Sequence, residues 1–330
     1  MQIALQLVGG LILLMLGGEL LVRGAVQVAT RFGVSPLVIG LTLVGFGTST
    51  PELVTSVQAA LSGSPGIAYG NIVGSNIANI LLILGIAAII TPIAVSSTAL
   101  KRDSSIMVLV TVVFAIVATL VPMGLLAGLV FVAALAVYIF AAFWQERGLA
   151  AGALDDGHGA AFDKSLALQE ADPALKGTSD IGRSAFLSIL IAIAGLALVV
   201  LGGNLLVSGA VGLARSFSIS ETIIGLTIVA IGTSMPELVT SVMAALRKQT
   251  EVAFGNVVGS NIYNILGIGG FTALIAPTNV PSEIVRFDNL IMIGASLVLV
   301  AFAFTGRRIS RREGAVLVAG YAAYVALIWP

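Results

Sequence analysis

The chain has no cysteine and a single histidine, His158. Disulfides and thiolate metal sites are therefore excluded. One histidine cannot assemble the nitrogen-rich set that zinc or copper prefers. Charge is also scarce: 10% of the 330 residues are Asp, Glu, Lys or Arg, where soluble globular chains carry about a quarter. Arginine and lysine stand singly or in pairs and the formal net charge is zero, which leaves no basic surface for nucleic acid. There is no glycine-rich phosphate-binding loop. No cleavable leader is evident either, because `MQIALQLVGGLILLMLGGEL` lacks a basic first region and reads as a spanning segment. The apolar segments hold no catalytic histidine or nucleophile arrangement, so the chain reads as something other than an enzyme, with no cofactor implied.

What is present is apolar. Hydrophobic residues make up 58% of the chain, and the mean hydropathy is +1.09. A soluble protein could not be coated from what remains, and the expected class is an all-α polytopic membrane protein. Ten apolar segments are expected, at roughly 3–22, 34–61, 66–91, 104–122, 124–144, 184–214, 222–246, 252–276, 289–306 and 314–329. With both termini outside, 14 of the 16 basic residues fall in cytoplasmic connections, and only Arg215 and Arg286 do not. That bias fixes the expected orientation. The one long polar stretch, 145–183, is then a cytoplasmic linker between residues 1–144 and 184–330. `GLAAGALDDGHGAAFDK` within it looks flexible, and Asp155, Asp156 and His158 offer only a weak regulatory cation site.

The two flanking regions are copies. `GGELLVRGA` at 17–25 returns as `GGNLLVSGA` at 202–210. `GLTLVGFGTSTPELVTS` at 40–56 returns as `GLTIVAIGTSMPELVTS` at 225–241, and `GNIVGSNIANILLILG` at 70–85 as `GNVVGSNIYNILGIGG` at 255–270. Every match has the same 185-residue offset. Five segments per copy is odd, so the second copy crosses in the opposite sense. The expected fold is ten transmembrane helices as two inverted five-helix repeats, an arrangement typical of secondary transporters with a midplane site.

Glu52 and Glu237 fall deep in the second and seventh segments. A bare carboxylate there costs at least about 2–3 kcal/mol, so each must be protonated, paired or bound to a cation. No lysine or arginine lies mid-segment to pair with them, which points to a divalent cation. Pro51 and Pro236 free the carbonyls of Gly47 and Gly232. Thr48, Ser49, Thr233 and Ser234 add hydroxyls beside each break. Ser75 with Asn79, and Ser260 with Asn264, share helix faces on the next segments, while Asn76 and Asn261 point elsewhere, to helix packing or backbone capping. This all-oxygen set suits calcium, and sodium can use much of it. Four glycines, Gly70, Gly74, Gly255 and Gly259, read as close helix contacts. Glu19 is expected to pair with Arg23. Asp103 and Asp288 are expected to cap or to face solvent.

`GTSTPELVTS…GNIVGSNIANI` and `GTSMPELVTS…GNVVGSNIYNI` closely resemble the repeats of the cation/calcium exchanger superfamily, in its prokaryotic sodium/calcium branch. The resemblance covers about 3–143 and 184–329. It implies calcium ligands at Glu52 and Glu237 and at the carbonyls of Thr48 and Thr233. It implies sodium ligands from the same acids, from Ser49, Ser75, Ser234 and Ser260, and from carbonyls including those of Gly45 and Ala230. Asn79, with its mate Asn264, lines the centre; asparagine there looks more like the potassium-independent type. The proton-coupled branch is often built around `GNxxE`, which `GNIVG` and `GNVVG` lack. The resulting expectation is an antiporter exchanging Ca2+ for Na+ across the cytoplasmic membrane by alternating access. A Ca2+/H+ antiporter on the same scaffold is the alternative. The expected partners are the two ions and lipid, with no obligate protein partner.

Overall fold

The computed structural model describes residues 2–32, 34, 36–95, 98–150, 158–171, 185–305 and 308–330. Asp155, Asp156, Lys176, Arg183 and Arg307 lie outside these described residues. The architecture is all-α apart from two short strands. Helix α1 is Gln2–Arg31; α2 runs Pro36–Ile39, then a π turn Gly40–Val44, then Gly45–Gly47; α3 is Thr50–Leu61. Helix α4 runs Pro65–Ile90 through a π turn at Asn79–Ile83; α5 is Thr98–Leu120 and α6 is Leu125–Ala150. A short helix α7, Ala160–Ala171, follows within the polar stretch. Then come α8 (Ala185–Phe217), α9 (Glu221–Thr233) and α10 (Met235–Leu246), followed by α11 (Thr250–Ile275), α12 (Ile284–Phe304) and α13 (Arg311–Ile328).

Among the described residues, seven helices are long and apolar enough to cross a membrane, or eight if α9 and α10 count as one bent span. The chain is an all-α polytopic membrane protein. Two of the ten expected segments are missed for physical reasons. The one at 34–61 is divided between α2 and α3, and α13 opens with Arg311, Arg312 and Glu313, which lower its hydropathy. That opening is a capping box: Ser310 accepts from the Glu313 amide and Glu313 accepts from the Ser310 amide.

Helices α4 and α11 form the centre, with 83% of their apolar windows buried, against 28% for α1, α6 and α8. The outer helices show large apolar side chains such as Leu5, Leu126, Val137 and Ile193 outward, as lipid contact demands. Strand β1 (Ile93–Ala94), between α4 and α5, pairs antiparallel with β2 (Arg308–Ile309), between α12 and α13. Met123, between α5 and α6, exchanges backbone bonds of 3.1 and 3.0 Å with Thr278, between α11 and α12. Connections are thus tied together in pairs related by the sequence repeat.

Helices α1 and α8 run antiparallel along a glycine seam. Gly10, Gly17 and Gly24 recur every seventh residue on α1, and Gly195, Gly202 and Gly209 are their repeat mates on α8. A Cβ at Gly10, Gly17, Gly24, Gly195 or Gly202 would lie 2.3–2.7 Å from a backbone nitrogen of the facing helix. Absent side chains let the backbones touch, which is the usual source of tight helix association in lipid.

Candidate functional site

Pro51 and Pro236 occupy the first turns of α3 and α10. Neither can donate an N–H, and each ring excludes the carbonyl four residues back. The chain breaks at Ser49 (φ −85°, ψ 4°) and Ser234 (φ −83°, ψ 11°). The second break bends the pair α9–α10 by 49°. Each break places a glutamate in the first turn of the following helix.

The two breaks face each other. Glu52 and Glu237 are each 1% exposed. Ser234 donates to Glu52 Oε1 at 2.9 Å, and Ser49 donates to Glu237 Oε1 at 3.3 Å. Each acid is therefore held by the serine of the opposite copy. The second carboxylate oxygens, Oε2 of both acids, are buried without a hydrogen-bond partner, and so are Ser75 Oγ, Asn79 Oδ1 and Asn264 Oδ1. An orphaned buried oxygen is costly unless a ligand satisfies it. This set of acid, hydroxyl and amide oxygens fits a hard cation as transported cargo. The Ala230 carbonyl accepts the Ser234 amide at 3.1 Å, and Gly45 is buried just after the π turn of α2. Thr233 Oγ1 bonds to Asn71 Oδ1 at 3.0 Å and back to Val229 O at 3.1 Å.

Several positions depart from expectation. Asn261 joins helices, but at the centre of the site: it accepts from Asn79 Nδ2 at 3.0 Å and donates to the Asn76 carbonyl at 3.3 Å, linking α4 to α11. Asp103 and Asp288 are buried, not exposed. Asp288 accepts from Tyr324 at 2.8 Å, and Asp103 accepts from the Ala160 amide at 2.7 Å, so it does cap a helix, α7. Glu19 pairs with Arg23 as expected.

The largest departure concerns the partner base. Lys164 of α7 is fully buried, and its Nζ lies 2.7 Å from Thr48 Oγ1, 2.6 Å from Ser260 Oγ and 3.5 Å from Glu237 Oε1. The acids do have a lysine beside them, supplied from the polar stretch and not from any span. Burial pushes the Lys164 pKa down, and Glu237 and Glu52 oppose that. Residues 158–171 are accordingly not a loose linker. Asp103 and Glu146 accept the Ala160 and Gly159 amides at the start of α7, where carboxylates favour a helix N-terminus.

The sequence reading also passed over Asn71 and Asn256. Asn71 donates to the Glu52 carbonyl at 3.2 Å and to Ser56 at 2.9 Å. Asn256 donates to Thr240 at 2.9 Å and Ser241 at 2.8 Å, and more weakly to the Glu237 carbonyl. They brace the first turns that carry the acids; their signal was the repeated `GN`. Also unforeseen were matched π turns, Gly40–Val44 with Gly225–Val229 and Asn79–Ile83 with Tyr263–Gly269, a distortion common at functional sites.

Asp163 of α7 is buried against Gly255. Burial, then the charges of Glu251, Glu146 and Asp103, hold its carboxyl well above the usual carboxylate range. A folded-state pKa raised in this way favours folding while the acid is protonated, and that contribution is lost as pH rises through the folded value. Asp163→Asn, neutral throughout, should therefore raise the melting temperature in detergent, by more at about pH 8 than at about pH 5. Scanning fluorimetry reads the effect; no gain at either pH would refute it.

A helical membrane protein that brings two buried acids together from two copies of one motif, amid neutral oxygens, is a cation transporter and not an enzyme. The chain belongs to the sodium/calcium exchanger family, whose model, described as sodium/calcium exchanger protein, matches residues 3–144 and 187–329. It is 36% identical over 341 residues to the sodium/calcium exchanger MaX1 of Methanosarcina acetivorans, covering 97% of this chain and 96% of that protein. It is 34% identical over 329 residues to the inner membrane protein YrbG of Escherichia coli, covering 98% and 95%. A solved structure of the sodium-calcium exchanger NCX_Mj, soaked with 2.5 mM Na+ and 1 mM Sr2+, matches with a TM-score of 0.61 and 31% identity over 99% of this chain and 98% of that one.

Proposed function

We propose that the protein is a secondary antiporter that exchanges Ca2+ for Na+ through one site shared by its two repeats. The observation that carries this reading is the reciprocal pair of contacts, Ser234 to Glu52 and Ser49 to Glu237, beside unpartnered buried oxygens. In it, Glu52 and Glu237 bind Ca2+ together with the carbonyls of Thr48 and Thr233. Sodium uses the same acids with Ser49, Ser75, Ser234 and Ser260 and the carbonyls of Gly45 and Ala230, while Asn79 and Asn264 line the centre. Two carboxylates carry two negative charges, which one Ca2+ or two Na+ neutralise. Neutralising them lowers the cost of carrying the site past lipid.

The architecture belonging to this reading has ten spans, α2 with α3 and α9 with α10 each making one broken span. Residues 1–144 and 184–330 form inverted five-helix repeats, and 145–183 joins them. Support comes from the constant offset of 185 and from the pairing of repeat-related connections. We place both termini on the periplasmic side and 145–183 in the cytoplasm, on the strength of the basic-residue bias. We assign the protein to the cytoplasmic membrane, the location in the name of the E. coli relative.

Proteoliposomes test the coupling. An outward sodium gradient should drive calcium uptake, and a pH gradient alone should drive little. Uptake under the pH gradient without sodium would replace this reading with Ca2+/H+ exchange.

A further inference from the structure

The two repeats differ around their central helices. In α4, Gly66, Gly70 and Gly74 lie directly against the start of α9: a Cβ at Gly74 would be 2.4 Å from the Leu226 carbonyl oxygen. The mates of Gly70 and Gly74 in α11, Gly255 and Gly259, do not have the corresponding part of α2 as their nearest neighbour. They meet α7, with a Cβ at Gly255 lying 2.3 Å from Asp163 Cβ and one at Gly259 lying 2.9 Å from the Ala160 carbonyl oxygen. On its other side α7 packs against α2, where Leu168 touches Gly47. A helix from outside both repeats thus occupies the place that the repeat relation assigns to α2.

The same asymmetry reaches the ion site. Lys164 gathers Thr48, Glu237 and Ser260 into one half-site, and their repeat mates, Thr233, Glu52 and Ser75, define the other. In the Glu52 half-site Ser75 Oγ has no partner, while Oε2 is unpartnered in both acids alike. In the Glu237 half-site, Lys164 Nζ bonds to all three residues. Tyr263, whose repeat mate is Ala78, sets its ring 5.9 Å from that ammonium and donates its hydroxyl to the Leu41 carbonyl at 2.6 Å. An ammonium with donors to a carboxylate and two hydroxyls takes the place of a monovalent cation.

We propose that α7 is a built-in plug, which seats the Lys164 ammonium as a tethered cation in the Thr48–Glu237–Ser260 half-site and competes there with transported ions. This rests on that half-site being part of the transport site. Asp103 and Glu146, outside the ion site, fasten the other end of α7. A short tether gives its ligand an effective concentration in the millimolar range or above, so free cations must displace α7 before they bind from its side.

The test is equilibrium binding of radioactive calcium to the purified full-length chain in detergent. Lys164→Met, which removes the tethered competitor, should tighten apparent calcium affinity, by about tenfold or more, and Glu52→Gln should abolish binding. Asp103→Asn, which loosens the anchor and leaves the ion ligands intact, should shift affinity in the same direction by a smaller factor and stands in if Lys164→Met does not fold. Equal affinity in wild type, Lys164→Met and Asp103→Asn, with binding still lost in Glu52→Gln, overturns the plug and leaves the exchange reading standing. No binding by any form overturns both. Because the chain lacks cysteine, a second readout is direct: Ala167→Cys, buried on α7, should react faster with a water-soluble maleimide once calcium is added. An unchanged rate at saturating calcium overturns the plug.

Discussion

In proteoliposomes, Glu52→Gln or Glu237→Gln should each lower sodium-driven calcium uptake by at least about a hundredfold, to background. Glutamine keeps the shape, and its amide oxygen can still accept from Ser234 or Ser49. What it removes is one charge from a site that is almost fully excluded from water. Calcium bound to a single carboxylate would leave a net positive charge at bilayer depth. A penalty of about 3 kcal/mol is typical there and corresponds to more than a hundredfold in affinity. Neutral hydroxyls and amides do not replace that charge. Glu237→Gln also takes the bonded acid from Lys164, so it should speed maleimide labelling at Ala167→Cys by more than Glu52→Gln, which removes only a more distant charge. Uptake within about threefold of wild type in either single variant, at equal protein level, would exclude that acid as a calcium ligand.

The second large effect concerns the seam between α1 and α8. Gly10→Leu or Gly17→Leu should cut exchange by at least about tenfold and lower the melting temperature, because the new side chain meets backbone that has no rotamer to yield. A Cβ at Gly10 lies 2.6 Å from the Leu206 nitrogen and 2.9 Å from the Gly202 carbonyl oxygen. Gly9, one residue earlier on the same helix, has nothing within 4 Å. Gly9→Leu adds the same bulk to the same turn and should behave as wild type in both assays. The contrast between neighbours separates the seam from any general cost of leucine in α1. Wild-type exchange and melting temperature in Gly10→Leu would show that close approach of α1 and α8 is dispensable.

The acids, the prolines and the repeated motifs were legible because each breaks a rule that the surrounding apolar sequence otherwise obeys. A glutamate and a proline in a greasy run have few explanations, and their recurrence at a fixed offset removes most of those. The seam was half visible: the glycines at a spacing of seven are in the sequence of both helices, but that they face each other appears only when α1 and α8 are laid side by side. Asn71 and Asn256 were hidden by their role, since they hold the chain that holds the acids. The π turns left no mark, because an extra residue in a helical turn costs the sequence no characteristic letter. Lys164 could not be found by scanning the spans, as it lies in a polar stretch of ordinary composition. Packing against Gly255 and Gly259 carries it inward, and a glycine in a sequence announces a close neighbour without naming it.

The unequal surroundings of the two central helices bear on how the carrier rests between cycles. Two inverted copies that merely traded shapes would spend comparable time open to either compartment, and influx and efflux would run alike. Tyr263 in place of Ala78, together with α7, accompanies α11 and has no counterpart at α4 among the described residues. Every 1.4 kcal/mol that they contribute tilts the resting population about tenfold toward the conformation that holds α7. Under the plug proposal, exchange would run at unequal rates from the two sides, a bias set by the segment between the halves, and calcium arriving from the side of α7 would have to work against it before turnover begins.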